Sequence, residues 1–247
     1  MPEGFRPLPN KSSNSFLSTL ANLFRRVLDL QLLTIYKDAK KELPTFKGRV
    51  LDVGCGDSPY KQFLNSVQTQ YTGIDIVDAD TFDYQNSSII PFDGKIIPFD
   101  KEQFDAIVCT EVLEHVEHYQ LLINEMHRVM KHGAKGFITI PWSARYHYIP
   151  YDYFRYTPSS LKTMFQQFEQ VRIKNRGTDL AVIANKLIVL WFRNMLPAKK
   201  WKLIFVPFWI VLLPVLFVFI AIAHFSLWFQ WGSTDDPLGY TILINKA

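Results

Sequence analysis

Two stretches of this chain set acids beside glycines at spacings that suit a nucleotide-like ligand. In "GRVLDVGCGDSPY" an apolar run, Val50 to Val53, enters the turn Gly54-Cys55-Gly56. Glycines there let backbone approach a ligand closely, and a following helix start would offer free N–H groups. About 20 residues on, "YTGIDI" ends at Asp75, where two carboxylate oxygens match the adjacent hydroxyls of a ribose. A dinucleotide fingerprint is disfavoured. It needs a third small residue where this chain has Pro59, and it expects no acid inside the strand, where Asp52 stands. Proton abstraction is the second chemistry on offer. Glu111, Glu114, His115 and His118 of "TEVLEHVEH" recur at i, i+3 and i+4, and His147 and Asp152 lie in the aromatic segment "PWSARYHYIPYDYFRYTPSSL". Asp152 and Arg155 also have the spacing of a structural ion pair ahead of a helix capped near Thr157 or Ser159.

The elements that must position these residues alternate. Strands are expected at "RVLDVG", "YTGIDI", "FDAIVCT", "GFITIP" and "QVRIKNR", and helices at about Tyr60–Ser66, Tyr119–Lys131 and Ser159–Gln167. That alternation predicts an α/β domain with a mainly parallel sheet covered on both faces. The repeat within "IIPFDGKIIPFD" is assigned to a turn region. Ahead of the core, Phe16, Leu20, Phe24, Val27 and Leu30 predict one helix from about Ser12 to Glu42, capped by Ser12 or Ser13 and stopped by Pro44. This helix either packs on the domain or lies on anionic lipid, with Arg25, Arg26, Lys37, Lys40 and Lys41 on its other faces or exit.

Five ordered segments, "VLDVGCG", "YTGIDI", "IIPFDKEQFDAIVCTEVLEHV", "MHRVMKHGAKGFITIP" and "YDYFRYTPSSL", together resemble a class I S-adenosylmethionine-dependent methyltransferase. More narrowly they are similar to the type 11 branch. The resemblance is strong over about Arg49 to Thr163. It implies a Rossmann-like seven-stranded methyltransferase sheet and S-adenosylmethionine as cofactor. It assigns Asp52, Gly54 and Gly56 to the methionine end, Asp75 to the ribose, and Asp93 with Gly94 to the adenine. An Asp-Gly turn would account for Asp93 and Gly94 without a ligand. Glu111, after the fourth strand, falls beside the cofactor at the sheet's carboxyl edge. Loops on that edge form the substrate pocket, which assigns His147, Tyr148, Asp152 and Arg155 to its lining. His147 and Asp152 are the preferred bases, with Glu111 a third catalytic candidate. Some quinone O-methyltransferases of this class are thought to place a metal near similar Glu and His residues, but no metal is expected here.

The sixth strand should be followed within a short turn by an antiparallel seventh. The best seventh strand is "GYTILINKA", far downstream. Between them lies "LIFVPFWIVLLPVLFVFIAIAHFSLWFQW", Leu203 to Trp231, without one Lys, Arg, Asp or Glu. A single crossing would separate the seventh strand from its sheet. Two crossings of about 20 residues each would bury Lys186 and export the basic loop "AKKWK". A dip into one leaflet, kinked at Pro207 and Pro214, meets all three constraints. Arg193, Lys199, Lys200 and Lys202 would then face headgroups, and Trp201, Trp209, Trp228 and Trp231 the interface. A buried helical hairpin is the alternative.

Composition agrees with this division. The apolar share is 48%, the excess sits in the last third, and a net charge of +4 does not argue for nucleic acid. Two cysteines, Cys55 and Cys109, both in apolar runs, give no disulfide framework and fit a reducing compartment. The N-terminal residues lack the order of a secretory signal. The expected organisation is an N-terminal helical segment (1–44), a cofactor-binding core (45–177), a membrane-associating insertion (178–236) and the final core strand (237–247). The expected activity is methylation, by default on oxygen, of a lipid-linked glycan or other amphipathic acceptor. It would occur on the cytoplasmic side of a membrane, with membrane lipid as partner and no nucleic acid. The alternatives are a non-catalytic S-adenosylmethionine-binding scaffold and a quinone-type small-molecule methyltransferase.

Overall fold

The structure, a computed structural model, describes residues 16–76, 88–195, 197 and 200–247. Its centre is a seven-stranded sheet: β1 (Gly48–Val53), β2 (Thr69–Ile76), β3 (Ile90–Phe92), β4 (Phe104–Thr110), β5 (Met130–Pro141), β6 (Gln170–Arg176) and β7 (Gly239–Asn245). The order is β3-β2-β1-β4-β5-β7-β6. Strand β7 runs antiparallel to both neighbours, and β1 through β5 pair in parallel. This is the Rossmann-like arrangement expected from the sequence. Strand β1 lies in the sheet interior, and its Val50, Leu51 and Val53 are wholly buried, as a strand covered on both faces requires.

Six of the seven strands coincide with the segments expected to form them. The exception is β3, which lies within the stretch assigned to a turn. It has only three residues, one of them Pro91, and it occupies the sheet edge, where a missing N–H is tolerated.

The helices are α1 (Phe16–Leu28), α2 (Leu30–Glu42), α3 (Tyr119–Val129), α4 (Pro158–Met164), α5 (Asp179–Met195), α6 (Val206–Val211) and α7 (Leu213–Phe229). The single N-terminal helix expected from periodicity is in fact two. Asp29 adopts an extended conformation, and its side chain accepts the Leu32 N–H at 3.0 Å, so it ends one helix and caps the next. The expected caps Ser12 and Ser13, and Lys199, lie outside the described residues. Tyr60–Ser66 holds only a 3₁₀ turn at Lys61–Phe63, because Asn65 accepts the Val67 N–H in a tight turn. Thr157 caps α4, as expected, through the Ser160 N–H.

One core packs α3 and α4 on the sheet through Leu122, Ile123, Met126, Leu161 and Met164. A second packs Ile35 and Ala39 of α2, with Leu43 just past its end, against Val50, Val108 and Phe137. Buried Asp38 of α2 bonds Lys174 and, at 2.7 Å, the Thr241 hydroxyl, which ties the N-terminal helices to β6 and β7. The segment between β6 and β7 folds as α5, α6 and α7. Ala181, Val182 and Ala184 of α5 meet Ala223 and Leu227 of α7, and Leu30 of α2 joins them. Pro207 and Pro214 each sit in the first turn of a new helix, where proline is tolerated, instead of kinking one continuous helix. Among the described residues no single helix is long and apolar enough to cross a membrane. One pair, α5 with Lys200–Val211, reaches that length and apolarity but is bent by 116°.

Candidate active site

The glycine turn forms at the carboxyl end of β1. Gly54 and Gly56 have φ of +68° and +49°, and a Cβ on Gly54 would lie 2.4 Å from Val112 Cγ2, so only glycine fits there. Beside it, at the end of β2, buried Asp75 accepts the Gly56 N–H through Oδ2 and the Ile76 N–H through Oδ1, both at 2.8 Å. Each oxygen keeps a further lone pair for a ligand hydroxyl. The β1–β2 register sets Asp52 opposite Gly73. Asp52 Oδ2 accepts the Tyr71 hydroxyl at 2.8 Å, while Oδ1 is buried with no partner. Burial, reinforced by the nearby Asp75 charge and eased by the Tyr71 bond, pushes the Asp52 carboxyl up to about 7.

A buried, unsatisfied carboxylate oxygen above a glycine turn fits a cationic ligand head. An ammonium would supply the missing donor and hold Asp52 ionised. The residues present therefore fit S-adenosylmethionine. Asp93 lies just past β3, whose register sets Pro91 beside Asp75. Its Oδ1 accepts the Lys95 and Ile96 N–H groups at 2.8 Å, so the Asp-Gly turn is formed, with Gly94 at φ +75°.

Glu111 follows β4 with φ +54°, and its N–H donates to the Thr139 carbonyl. The one-face helical spacing expected for "TEVLEHVEH" does not form, since that left-handed residue leads into a 3₁₀ turn at Leu113–His115. Glu111 Oε1 accepts from Arg176 Nη2 at 2.8 Å. Arg176, at the end of β6, is fully buried and also donates to the Ile140 carbonyl at 3.1 Å. Sequence reading missed this residue. Its one signal was a cation closing a strand that should end at the site.

Glu114 is wholly buried and neither carboxylate oxygen has a hydrogen-bond partner. Burial, then the charge of Glu111, raises its pKa well above the ordinary carboxyl value. His115 donates Nδ1–H to the Tyr151 carbonyl at 2.6 Å. Burial lowers its pKa to about 4, which keeps the ring neutral. Its ring meets those of His147 and Tyr148 at 5.0 and 5.4 Å. His118 is exposed at the start of α3 and stands apart.

The aromatic loop after β5 brings His147, Tyr148, Asp152 and Arg155 together. Arg155 holds Asp152 through two bonds of 2.6 and 2.8 Å, which is the i, i+3 ion pair considered from sequence. Asp152 Oδ2 lies 3.0 Å from both the His147 backbone nitrogen and its Nδ1. Burial acts to raise the Asp152 pKa, but the bonds from His147 and Arg155 outweigh it and hold the carboxyl well below its usual range. With Nδ1–H directed at Asp152 and the Arg145 carbonyl, His147 Nε2 is left as the acceptor. Among the described residues no group of three or more His, Cys, Asp or Glu side chains could hold a metal ion.

Fold and turn define a nucleotide-cofactor α/β enzyme with its ligand at the carboxyl edge of the sheet. A family described as "Methyltransferase domain" matches residues 19–181, well over half of the chain, and the chain belongs to it. The chain thus carries a methyltransferase domain, and the acids and glycines around its turn fit S-adenosylmethionine as the cofactor. Among its relatives, the mitochondrial ubiquinone biosynthesis O-methyltransferase of Mus musculus is 31% identical over 103 residues, covering 37% of this chain and 28% of that protein. The ubiquinone biosynthesis O-methyltransferase of Coxiella burnetii is 34% identical over 104 residues, covering 38% and 44%. The match thus spans less than half the length of either relative. Among solved structures, a SAM dependent methyltransferase from Archaeoglobus fulgidus shares the fold at TM-score 0.54 and 16% identity, covering 92% of this chain and 99% of that one. The [4+2]-cyclase SpnF does so at 0.53 and 14%, covering 98% and 99%.

Proposed function

We propose that the chain methylates a hydroxyl oxygen of an amphipathic acceptor at the cytoplasmic face of a membrane, and that the acceptor is a quinone-like ring in preference to a lipid-linked glycan. The observation that carries the cofactor half of this reading is the buried, unpartnered Asp52 oxygen beside the Gly54–Gly56 turn. The acceptor class is favoured by two relatives named as ubiquinone biosynthesis O-methyltransferases. The aromatic site loop also suits a flat ring, with the Tyr148 ring 5.3 Å from that of His147 and 5.4 Å from that of His115. The basic residues of the insertion favour the cytoplasmic side.

When bound, S-adenosylmethionine supplies an electrophilic methyl carbon on a sulfonium. In this reading Asp52 takes the ammonium, Asp75 the ribose hydroxyls, Asp93 and Gly94 the adenine edge, and Glu111 borders the methionine end. His147 Nε2 would accept the proton of the acceptor hydroxyl as its oxygen bonds the methyl carbon and the carbon–sulfur bond breaks, with S-adenosylhomocysteine as the leaving group. Asp152 keeps that ring in the productive tautomer and balances the resulting imidazolium. Arg155 fixes Asp152, and Tyr148 lines the acceptor side. Closing such a site on its acceptor mainly supplies position and excludes water.

The test is thermal unfolding with and without S-adenosylhomocysteine, for wild type and Asp75→Ala, followed by methyl transfer to a demethylated short-chain quinol. Ligand at about 100 times its Kd adds roughly 2.7 kcal/mol. Wild type should shift and the variant should not. No shift in folded wild type rejects the cofactor assignment. A shift without transfer to quinols or glycolipids would favour the scaffold reading, since cofactor binding and turnover are separable.

A further inference from the structure

Helix α1 is built inside out. Leu20, Leu23, Phe24 and Val27 recur at i, i+3, i+4 and i+7 and are 39–66% exposed. Its cations are the half-buried groups: Arg26 lies 3.9 Å over the Tyr36 ring, and Arg25 pairs with Asp29. A surface helix in water has the reverse arrangement. The apolar stripe continues into the insertion. His224 Nε2 donates to the Val27 carbonyl at 2.9 Å, and Leu28 packs beside Ile188, Leu216 and Ile220. Next to that contact α7 leaves Val215, Phe217, Val218 and Phe225 at least half exposed, although the helix carries no charge.

We infer that α1, α7 and α6, whose Phe208, Ile210 and Val211 are more than half exposed, form one docking surface for an anionic lipid bilayer, on which the protein rests in the plane of one leaflet. The inference rests on the reading of an enzyme with a lipophilic acceptor at a membrane face and adds that α1 and the insertion share one surface. Charge selects lipid over a second copy of the chain. From Leu180 to Thr234 there is no Asp or Glu, while Lys186, Arg193, Lys200 and Lys202 are present. Protein interfaces deplete lysine, whereas lysine and arginine beside an apolar face suit anionic headgroups. Trp201, Trp228 and Trp231 are 63%, 80% and 55% exposed, and tryptophan favours the headgroup boundary. Geometry selects the plane over a crossing. Arg176 pairs with Gly239 in the sheet, so both ends of the insertion start from one place, and among the described residues none of its single helices has the length of a span.

The full chain, exchanged out of detergent, would be floated with vesicles of phosphatidylcholine alone or mixed equally with phosphatidylglycerol. The variants are Leu23→Glu with Phe24→Glu in α1, and Val218→Glu in α7. Wild type is expected to float with the anionic vesicles and far less with the neutral ones. Each variant should lose about tenfold or more of that binding while keeping the S-adenosylhomocysteine shift. That retained shift shows the variants are folded. Flotation of the α1 variant like wild type, or no flotation of wild type, overturns the inference. So does a self-association that the variants abolish without changing flotation. Absence of the ligand shift in wild type would instead reject the enzyme reading, and flotation is read independently of it.

Discussion

Replacing Arg176 by Met tests whether the site edge is held from beneath by a buried cation. The guanidinium is fully enclosed and donates to Glu111 at 2.8 Å and to Ile140 at 3.1 Å, with two longer contacts of 3.4 Å to Gln31 and Thr34 of α2. Methionine fills the volume but leaves Glu111 facing an apolar wall. Removing one partner of a buried pair costs about 3–5 kcal/mol. Glu111 is 28% exposed and regains some water, which favours the lower figure. At about 2–4 °C per kcal/mol for a chain of this size, a loss of about 3 kcal/mol lowers Tm by roughly 6–12 °C. Calorimetry on Arg176→Met, Glu111→Leu and the double variant completes the cycle. Removing both charges should restore part of the loss, with a coupling of about 1–3 kcal/mol. A single-variant cost under about 1 kcal/mol, or additivity within about 0.5 kcal/mol, would refute the reasoning.

Two further outcomes follow from the carboxylates. The folded Asp52 pKa lies near 7, above its ordinary 3.8, so folding binds a proton there and that stability is lost as pH rises through about 7. A cationic ligand needs Asp52 ionised, so S-adenosylhomocysteine affinity by calorimetry should rise between about pH 6 and 8. Asp52→Asn should flatten this dependence. Asp152→Asn should lower kcat roughly 100-fold while leaving S-adenosylhomocysteine affinity unchanged. An equal loss of cofactor affinity would assign Asp152 to folding of the loop.

The legible parts of the fold were those where burial imposes a repeat. Strands β1 and β4 are covered on both faces, so their apolar runs stand out, and the antiparallel partner of β6 was recognisable across a long interruption. Strand β3 was not legible, because three edge residues with a proline carry no period. The helix break at Asp29 was hidden for a related reason. Apolar spacing continues through it, and only a side-chain cap reveals the stop. At the site, Asp52, Gly54, Gly56 and Asp75 were visible because glycine turns and strand tips are local features. The Glu111–Arg176 pair joins residues 65 apart in the chain, and only the strand order brings them together. Likewise the i, i+3 pair of Asp152 and Arg155 could be read, but the fold-back of His147 onto Asp152 depends on a loop with no repeating pattern.

Strand β7 lies between β5 and β6, yet it follows both of them and the whole insertion in the chain. During synthesis the sheet therefore waits with a vacant lane, and the apolar helices leave the ribosome before the strand that fills it. Closing that lane joins segments far apart in sequence, the slow kind of contact. The unfinished sheet meanwhile presents two open edges beside a hydrophobic segment, a combination prone to aggregation. The fold thus gives the nascent chain a reason to settle its insertion early, before β7 arrives to complete the sheet.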